Sequence, residues 1–280
     1  MKIAVASGKG GTGKTTISVN IAMSLPPPVQ LLDCDVEEPN AHIFLKPENT
    51  ETFDVSRMVP EVDLDKCDYC GACGDICEFK AITVLKDATV MTFHEMCHGC
   101  KGCVMVCPHQ AIRAIDRIFG QLVKGNSRHV ECIHGLLNVG EAMSPPLIDR
   151  VQQEIWDDGI TIIDAPPGTS CPMIETVRRT DYVILVTEPT PFGLNDLKLA
   201  VEAVRLLKIP FGIVINRSDI GDQQVIKYAK EEQIPVLMEI PHSRKIAEAY
   251  SRGELMIDIM PEMKKQFQQM IEQIIKQEAR

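Results

Sequence analysis

Gly8-Lys9-Gly10-Gly11-Thr12-Gly13-Lys14-Thr15 is the stretch on which the fold turns. It fits the pattern G-x-x-x-x-G-K-[ST], and its flanks supply the context that the pattern requires. Before it, Lys2 to Ala6 is a short apolar run that reads as a buried strand. After it, Lys14 to Leu25 places Ile17, Ile21 and Leu25 on one helical face. Strand, glycine-rich turn and helix, in that order, make a cradle for phosphate. Glycines let backbone N–H groups close around the anion at a helix N-terminus, Lys14 supplies charge to the β and γ phosphates, and Thr15 offers a hydroxyl to Mg2+.

Moving outward, Pro26, Pro27 and Pro28 stop the helix. Val29 to Leu32 then forms a second apolar run, ending in Asp33, Cys34 and Asp35. Further strand candidates are Val130 to Leu137, Ile160 to Asp164, Tyr182 to Val186, Phe211 to Ile215 and Val236 to Ile240. Helical patterns such as Asn195 to Leu207 and Gln223 to Glu232 separate most of them. This alternation predicts an α/β fold with a doubly wound, mostly parallel sheet and a ligand at the carboxyl ends of its strands. Between about Glu61 and Ile115 the alternation gives way to cysteine, glycine and short β-like pieces. The expected organisation is therefore a discontinuous nucleotide-binding domain, 1–60 and 116–280, with a small domain inserted at 61–115.

Composition narrows the function. Of 280 residues, 45% are hydrophobic and 24% charged, which suits a core-forming globular chain. A net charge of -10 argues against a broad basic surface, so neither nucleic acid nor anionic lipid is the expected partner. The sequence has no long apolar span and no signal-peptide pattern at its start, so a cytoplasmic location is expected. Eight of the eleven cysteines fall in two tight clusters, a pattern of metal or cluster ligation rather than disulfides.

The phosphate loop carries a second lysine, Lys9, directly after its first glycine. In this form GKGGTGKTT, through Thr16, resembles the deviant Walker loop of the MinD/ParA superfamily, whose Mrp-like branch contains iron–sulfur cluster carriers. The resemblance implies a P-loop ATPase that closes as a nucleotide-sandwich dimer, with itself or a paralogue. Lys9 would reach the partner's phosphates and Lys14 its own. In LLDCDVEEPN it implies that Asp35 orients the attacking water and that Asp33 lies near the Mg2+ shell. In IIDAPPGT it implies that Asp164 holds Mg2+ together with Thr15, and after FGIVI it makes Asn216 an adenine ligand.

Cys67, Cys70, Cys73 and Cys77 repeat at a constant offset as Cys97, Cys100, Cys103 and Cys107, and the repeat extends to Ala81-Ile82 and Ala111-Ile112. Each half reads C-x2-C-x2-C-x3-C, the run of bacterial two-cluster ferredoxins, in which the fourth cysteine ligates the other cluster. Two 4Fe-4S clusters are expected, one on Cys67, Cys70, Cys73 and Cys107, the other on Cys97, Cys100, Cys103 and Cys77. Zinc is the alternative, but its four-thiolate sites use two separated C-x2-C pairs. Glu78 stands where a proline commonly follows the fourth cysteine, whereas Pro108 keeps it. His94 and His98 are read as solvated loop residues.

Cys171 lies seven residues after Asp164, the spacing of a bridging-cluster cysteine in the nitrogenase iron protein. The segment NVGEAMSPP, which resembles the place of that protein's second cysteine, has none, so Cys171 reads either as a redox or bridging thiol or as a buried one. Cys34 and Cys132 are read as core. Met263, Phe267, Met270, Ile271, Ile274 and Ile275 share a helical face expected to dock on the sheet rather than on a membrane. The functional expectation is an ATP-hydrolysing iron–sulfur protein that passes electrons to an unidentified redox or client protein. A cluster-maturation factor and a positioning ATPase with structural or redox-sensing clusters are the alternatives.

Overall fold

The computed structural model describes residues 1–278. The elements run β1 (Lys2–Ala6), α1 (Lys14–Ser24), β2 (Val29–Asp33), α2 (Ala41–Leu45), β3 (Glu48–Val62), α3 (Ala72–Ile76), β4 (Ile82–Leu85), β5 (Thr89–Thr92), α4 (Gly102–Val106), β6 (Ile112–Ser127), β7 (Val130–Leu137) and α5 (Pro145–Gln152). They continue with β8 (Ile160–Asp164), α6 (Cys171–Val177), β9 (Tyr182–Thr187), α7 (Pro191–Leu207), β10 (Phe211–Asn216), α8 (Gln224–Glu231), β11 (Val236–Ile240), α9 (Arg244–Ser251), α10 (Met256–Ile259) and α11 (Pro261–Glu278).

The chain divides into two compact units. The first comprises Met1–Thr52, Leu122–Leu136 and Pro145–Arg280. Its strands follow the order β11-β10-β9-β1-β8-β2-β7, and every neighbouring pair in that series is parallel. Strand β1 pairs with β8 on one side and β9 on the other, so the order reverses beside it and opens a crevice at the carboxyl ends. The central strands are apolar without alternation because helices cover both faces; Ile3, Ile162, Ile163 and Ile184 are fully buried. Helix α11 contributes Met263, Phe267, Met270, Ile271 and Ile274 to the core. Ile275, expected on the same face, is 36% exposed because it falls past the edge of the buried stripe. Among the described residues no helix is long and apolar enough to cross a membrane.

The second unit comprises Phe53–Gln121 and Leu137–Ser144. It takes in more chain than 61–115 because β3 and β6 are long strands, each beginning in one unit and ending in the other. Strands β4 and β5 form an antiparallel hairpin with Ile82 opposite Thr92. Helices α3 and α4 are single turns, each entered through a left-handed residue, Gly71 or Lys101, and ended at Cys77 or Cys107. Around the cysteines the interior is small: Cys73, Ile82 and Ile112 are buried, with Cys77, Cys103 and Cys107 packed against them, while Val59 and Phe119 are buried elsewhere in the unit. The Leu137–Ser144 segment is tied in by a buried ion group. Glu141 lies 2.7 Å from Arg57 and 2.6 Å from Arg117, and Arg57 also donates to the His94 carbonyl at 2.8 Å.

Candidate functional site: a phosphate loop and two cysteine cavities

The loop between β1 and α1 opens onto a cleft of about 400 Å³ lined by Gly10, Gly11, Gly13 to Ile17, Asp35, Asn216 and residues of α9. Gly13 enters α1 at φ 91°, a left-handed conformation that favours glycine, and a side chain there would also strike Asn216. No side chain caps α1 and no acidic residue stands in its first turn, so its leading N–H groups stay open to an anion. Thr12 Oγ1 is buried without a hydrogen-bond partner. An orphaned donor in a ring of backbone N–H groups fits a bound phosphate.

Three carboxylates gather behind the loop at the strand ends, and of these Asp35 lines the cleft. Asp164, at the end of β8, accepts from Thr15 Oγ1 at 2.6 Å and Ser18 Oγ at 2.8 Å. Burial raises its pKa, while Lys14 and the two hydroxyls oppose the rise. Asp33, at the end of the adjacent β2, accepts from the backbone N–H groups of Asp35, Asn40 and Ala41 at 2.9 to 3.0 Å. Burial, with the Asp164 charge beside it, pushes Asp33 up to about 8. Asp35 is only partly buried and is raised to about 6, chiefly by desolvation, with Lys14 pulling the other way. Crowded carboxylates that resist ionisation make a site suited to a divalent cation, whose charge would reverse that penalty.

Lys9 turns away from the cleft floor, its Nζ 3.8 Å from Glu188 Oε2; Glu188 also pairs with Arg217 at 2.9 Å. Asn216 donates from Nδ2 to the Thr12 carbonyl at 2.9 Å and accepts from Arg217 N, so its amide braces the loop from behind while lining the cleft. Sequence reasoning missed Ser18 and Glu188. Ser18 sits one helical turn after Lys14, and Glu188 follows directly on β9, at the carboxyl end of a parallel strand where such sites collect.

The eight clustered cysteines line two cavities. Cys67, Cys70, Cys73 and Cys107 surround one; Cys77, Cys97, Cys100 and Cys103 surround the other. Each cavity thus draws three thiols from one half of the repeat and one from the other. Burial raises the thiol pKa of both Cys73 and Cys103. His94 is not a solvated residue: its Nε2 lies 2.9 Å from the Pro60 carbonyl, whereas His98 is exposed and stacks on Phe79. Cys171 is exposed at the start of α6, whereas Cys34 and Cys132 are buried.

Residues 3–256 match the CobQ/CobB/MinD/ParA nucleotide binding domain. The chain belongs to the MinD/ParA family of P-loop ATPases. It is 30% identical over 260 residues to the uncharacterized protein MJ0579 of Methanocaldococcus jannaschii, spanning 91% of this chain and 90% of that one. An iron-sulfur cluster carrier protein of the same organism is 24% identical over 98% of this chain and 83% of its own length. In fold, this MinD/ParA-family chain is similar to the septum site-determining protein MinD of Pyrococcus horikoshii in complex with Mg-ADP. That match has TM-score 0.58 and 20% identity, and covers 98% of this chain and 95% of the other.

Proposed function

We propose that this ATPase is a nucleotide-gated dimer whose second unit holds two 4Fe-4S clusters and passes single electrons to a protein partner. The observation that carries the reading is the crossed grouping of cysteines, three from one half of the repeat and the fourth from the other, around each of two cavities. A single metal ion would need its ligands to converge on one point, with Zn–S near 2.3 Å. Among the described residues no group of three or more His, Cys, Asp or Glu side chains does so. Thiolates spread around a cavity suit a cluster, which when bound supplies one-electron storage.

At the other site, ATP loses its γ-phosphoryl group to water: the new P–O bond forms as the β–γ bridge breaks, leaving ADP and phosphate. Lys14 and the open N–H groups of α1 hold the phosphates. Thr15 and Asp164 are the ligands for Mg2+, which when bound supplies charge neutralisation. Asp35 orients the water and accepts its proton, and Asp33 fixes the backbone from Asp35 to Ala41 that presents it. Lys9, once released from Glu188, neutralises the phosphates of the second subunit. Asn216 braces the loop and meets the base. Electrons reach the partner in one nucleotide state and not the other, because β3 and β6 run through both units.

Delivery of a cluster to a client protein is the second reading, favoured by the similarity to proteins named iron-sulfur cluster carriers. One experiment tests the first reading against it. Protein purified without oxygen is expected to hold eight iron atoms per chain, to keep them through ATP turnover in the presence of an apo-ferredoxin acceptor, and to lose only the Cys97 cluster on Cys77→Ser. Stoichiometric zinc would sink both readings; iron passing to the acceptor would favour delivery.

A further inference from the structure

The duplication allows the two cysteine cavities to be compared position by position, and the inference rests on the two-cluster reading above. Reduction adds one negative charge to a cluster, so its potential answers to hydrogen bonds on the sulfurs, solvent exposure and nearby fixed charge. The first of these is matched. Tyr69 N and Ala111 N donate to Cys67 Sγ at 3.4 Å and Cys107 Sγ at 3.2 Å. Gly99 N and Ala81 N donate to Cys97 Sγ at 3.4 Å and Cys77 Sγ at 3.3 Å. Because the fourth ligands cross, each set receives two such bonds.

Exposure is nearly matched as well. Cys70 and Cys100 are the exposed members of their sets, and the others are intermediate apart from the buried Cys73. Fixed charge is not matched. Asp68 stands one residue after Cys67 and lines the first cavity, while the corresponding residue, His98, lines the second. Gly71 follows Cys70, whereas Lys101 follows Cys100 and lines the second cavity. Lys101 holds the left-handed conformation, φ 61°, that Gly71 adopts at 88°. A lysine there accepts a conformation that favours glycine, which is a cost that charge at this position can explain.

Glu78 follows Cys77, where Pro108 follows Cys107, but it is exposed and does not line either cavity. Arg57 and Arg117 are paired with Glu141 and Glu95, so that cluster of ions is close to neutral. His109 lies 2.9 Å from Asp68. Asp68 is the carboxylate that lines the first cavity and Lys101 the ammonium that lines the second.

We infer that the two sites differ in electron affinity, that the Cys97, Cys100, Cys103 and Cys77 set is reduced first, and that Lys101 and Asp68 set the difference. The step is a one-electron transfer from a low-potential donor such as dithionite. The donor is oxidised by one electron and one cluster gains it; no bond or proton moves. The Cys67 site is then the transient station and the Cys97 site the resting one.

The test is a mediated dithionite titration of the iron-loaded full chain at pH 8, followed by electron paramagnetic resonance. In the native chain the first electron should favour one site at least tenfold, a separation of 59 mV or more. Lys101→Gln should lower the upper midpoint alone, and Lys101→Arg should leave it in place. Asp68→Asn should raise the lower midpoint alone, and the Lys101→Gln, Asp68→Asn double variant should bring the ratio close to one. If Lys101→Gln loses iron, Asp68→Asn on its exposed loop decides the matter by itself. A single shared midpoint in the native chain, or a Lys101→Gln effect on the lower midpoint, overturns the inference. Iron analysis before the titration separates this from failure of the two-cluster reading, which would show as native chain without 4Fe-4S signals at any potential.

Discussion

In the nucleotide unit the interior is built from aliphatic and aromatic side chains on seven parallel strands and their helices, and the charged groups gather at the strand ends. In the cysteine unit the would-be ligands share the interior: Cys73 is buried with Ile82 and Ile112, and Cys77, Cys103 and Cys107 pack against them. The first unit can therefore fold before its ligand arrives. In the second the proposed cluster ligands are part of the packing, so on the two-cluster reading metal binding would contribute to its folding free energy. On that reading one site stands on a finished scaffold and the other helps to complete its own.

The strongest way to break this contrast is to strip the iron by chelation under air. Proteolysis should then cut within 63–111 and leave the nucleotide unit intact; a cysteine stretch that stays protected without iron would erase the distinction. Next in size, Lys14→Ala should lower phosphate release by about 10²- to 10³-fold, the usual cost of removing one preorganised charge from a reacting phosphate. Iron content should not change, since the cluster cysteines are not among the residues that line the nucleotide cleft.

A smaller effect should appear with pH. Asp35 is needed ionised, and its pKa in the nucleotide-free chain is raised to about 6, so kcat/KM should be level above that value and fall about tenfold per unit below it. The limb should disappear, along with most activity, in Asp35→Asn; a flat profile between pH 5 and 7 in the native chain would remove Asp35 from the role of base. The smallest effect is expected from Glu188→Gln. Lys9 is about a third exposed, and ion pairs of that kind contribute about 0.2–1 kcal/mol. Freed from it, Lys9 should favour nucleotide-driven dimerisation by no more than about fivefold in analytical ultracentrifugation.

The sequence was most legible where one physical signal dominated. Strands β8 and β11 begin and end at the expected residues because a short, mostly apolar run between two helices has few other uses. Helix α7 starts at Pro191, ahead of the expected Asn195. Pro191 and Gly193 look like breakers, but Pro occupies the first turn and Thr190 caps it by accepting from Gly193 N at 3.0 Å. Helix α2 has no clear signal in the sequence: it is five residues long, and its first residue, Ala41, donates its N–H to Asp33 at the end of the preceding strand. The ends of β3 and β6 were hidden for a similar reason: polar residues such as Glu48 to Glu51 carry no alternation, and only pairing in the sheet makes them strand. Spacing divides the eight cysteines into the same two groups that line the two cavities, whereas Glu188 and Ser18 needed a neighbour that only the folded chain supplies.

The order of synthesis follows from how the sheet is threaded. Strand β1 emerges first, yet both its partners, β8 and β9, lie beyond residue 159, and the core over α1 waits for Phe267 on the last helix. The cysteine unit is complete at Ser144. At translation rates of about 5–20 residues per second the interval to Phe267 is on the order of ten seconds. During that time the nascent phosphate loop has no sheet to stand on, while all eight clustered thiols have already been synthesised. On the two-cluster reading, the guest could thus be loaded with metal before its host exists.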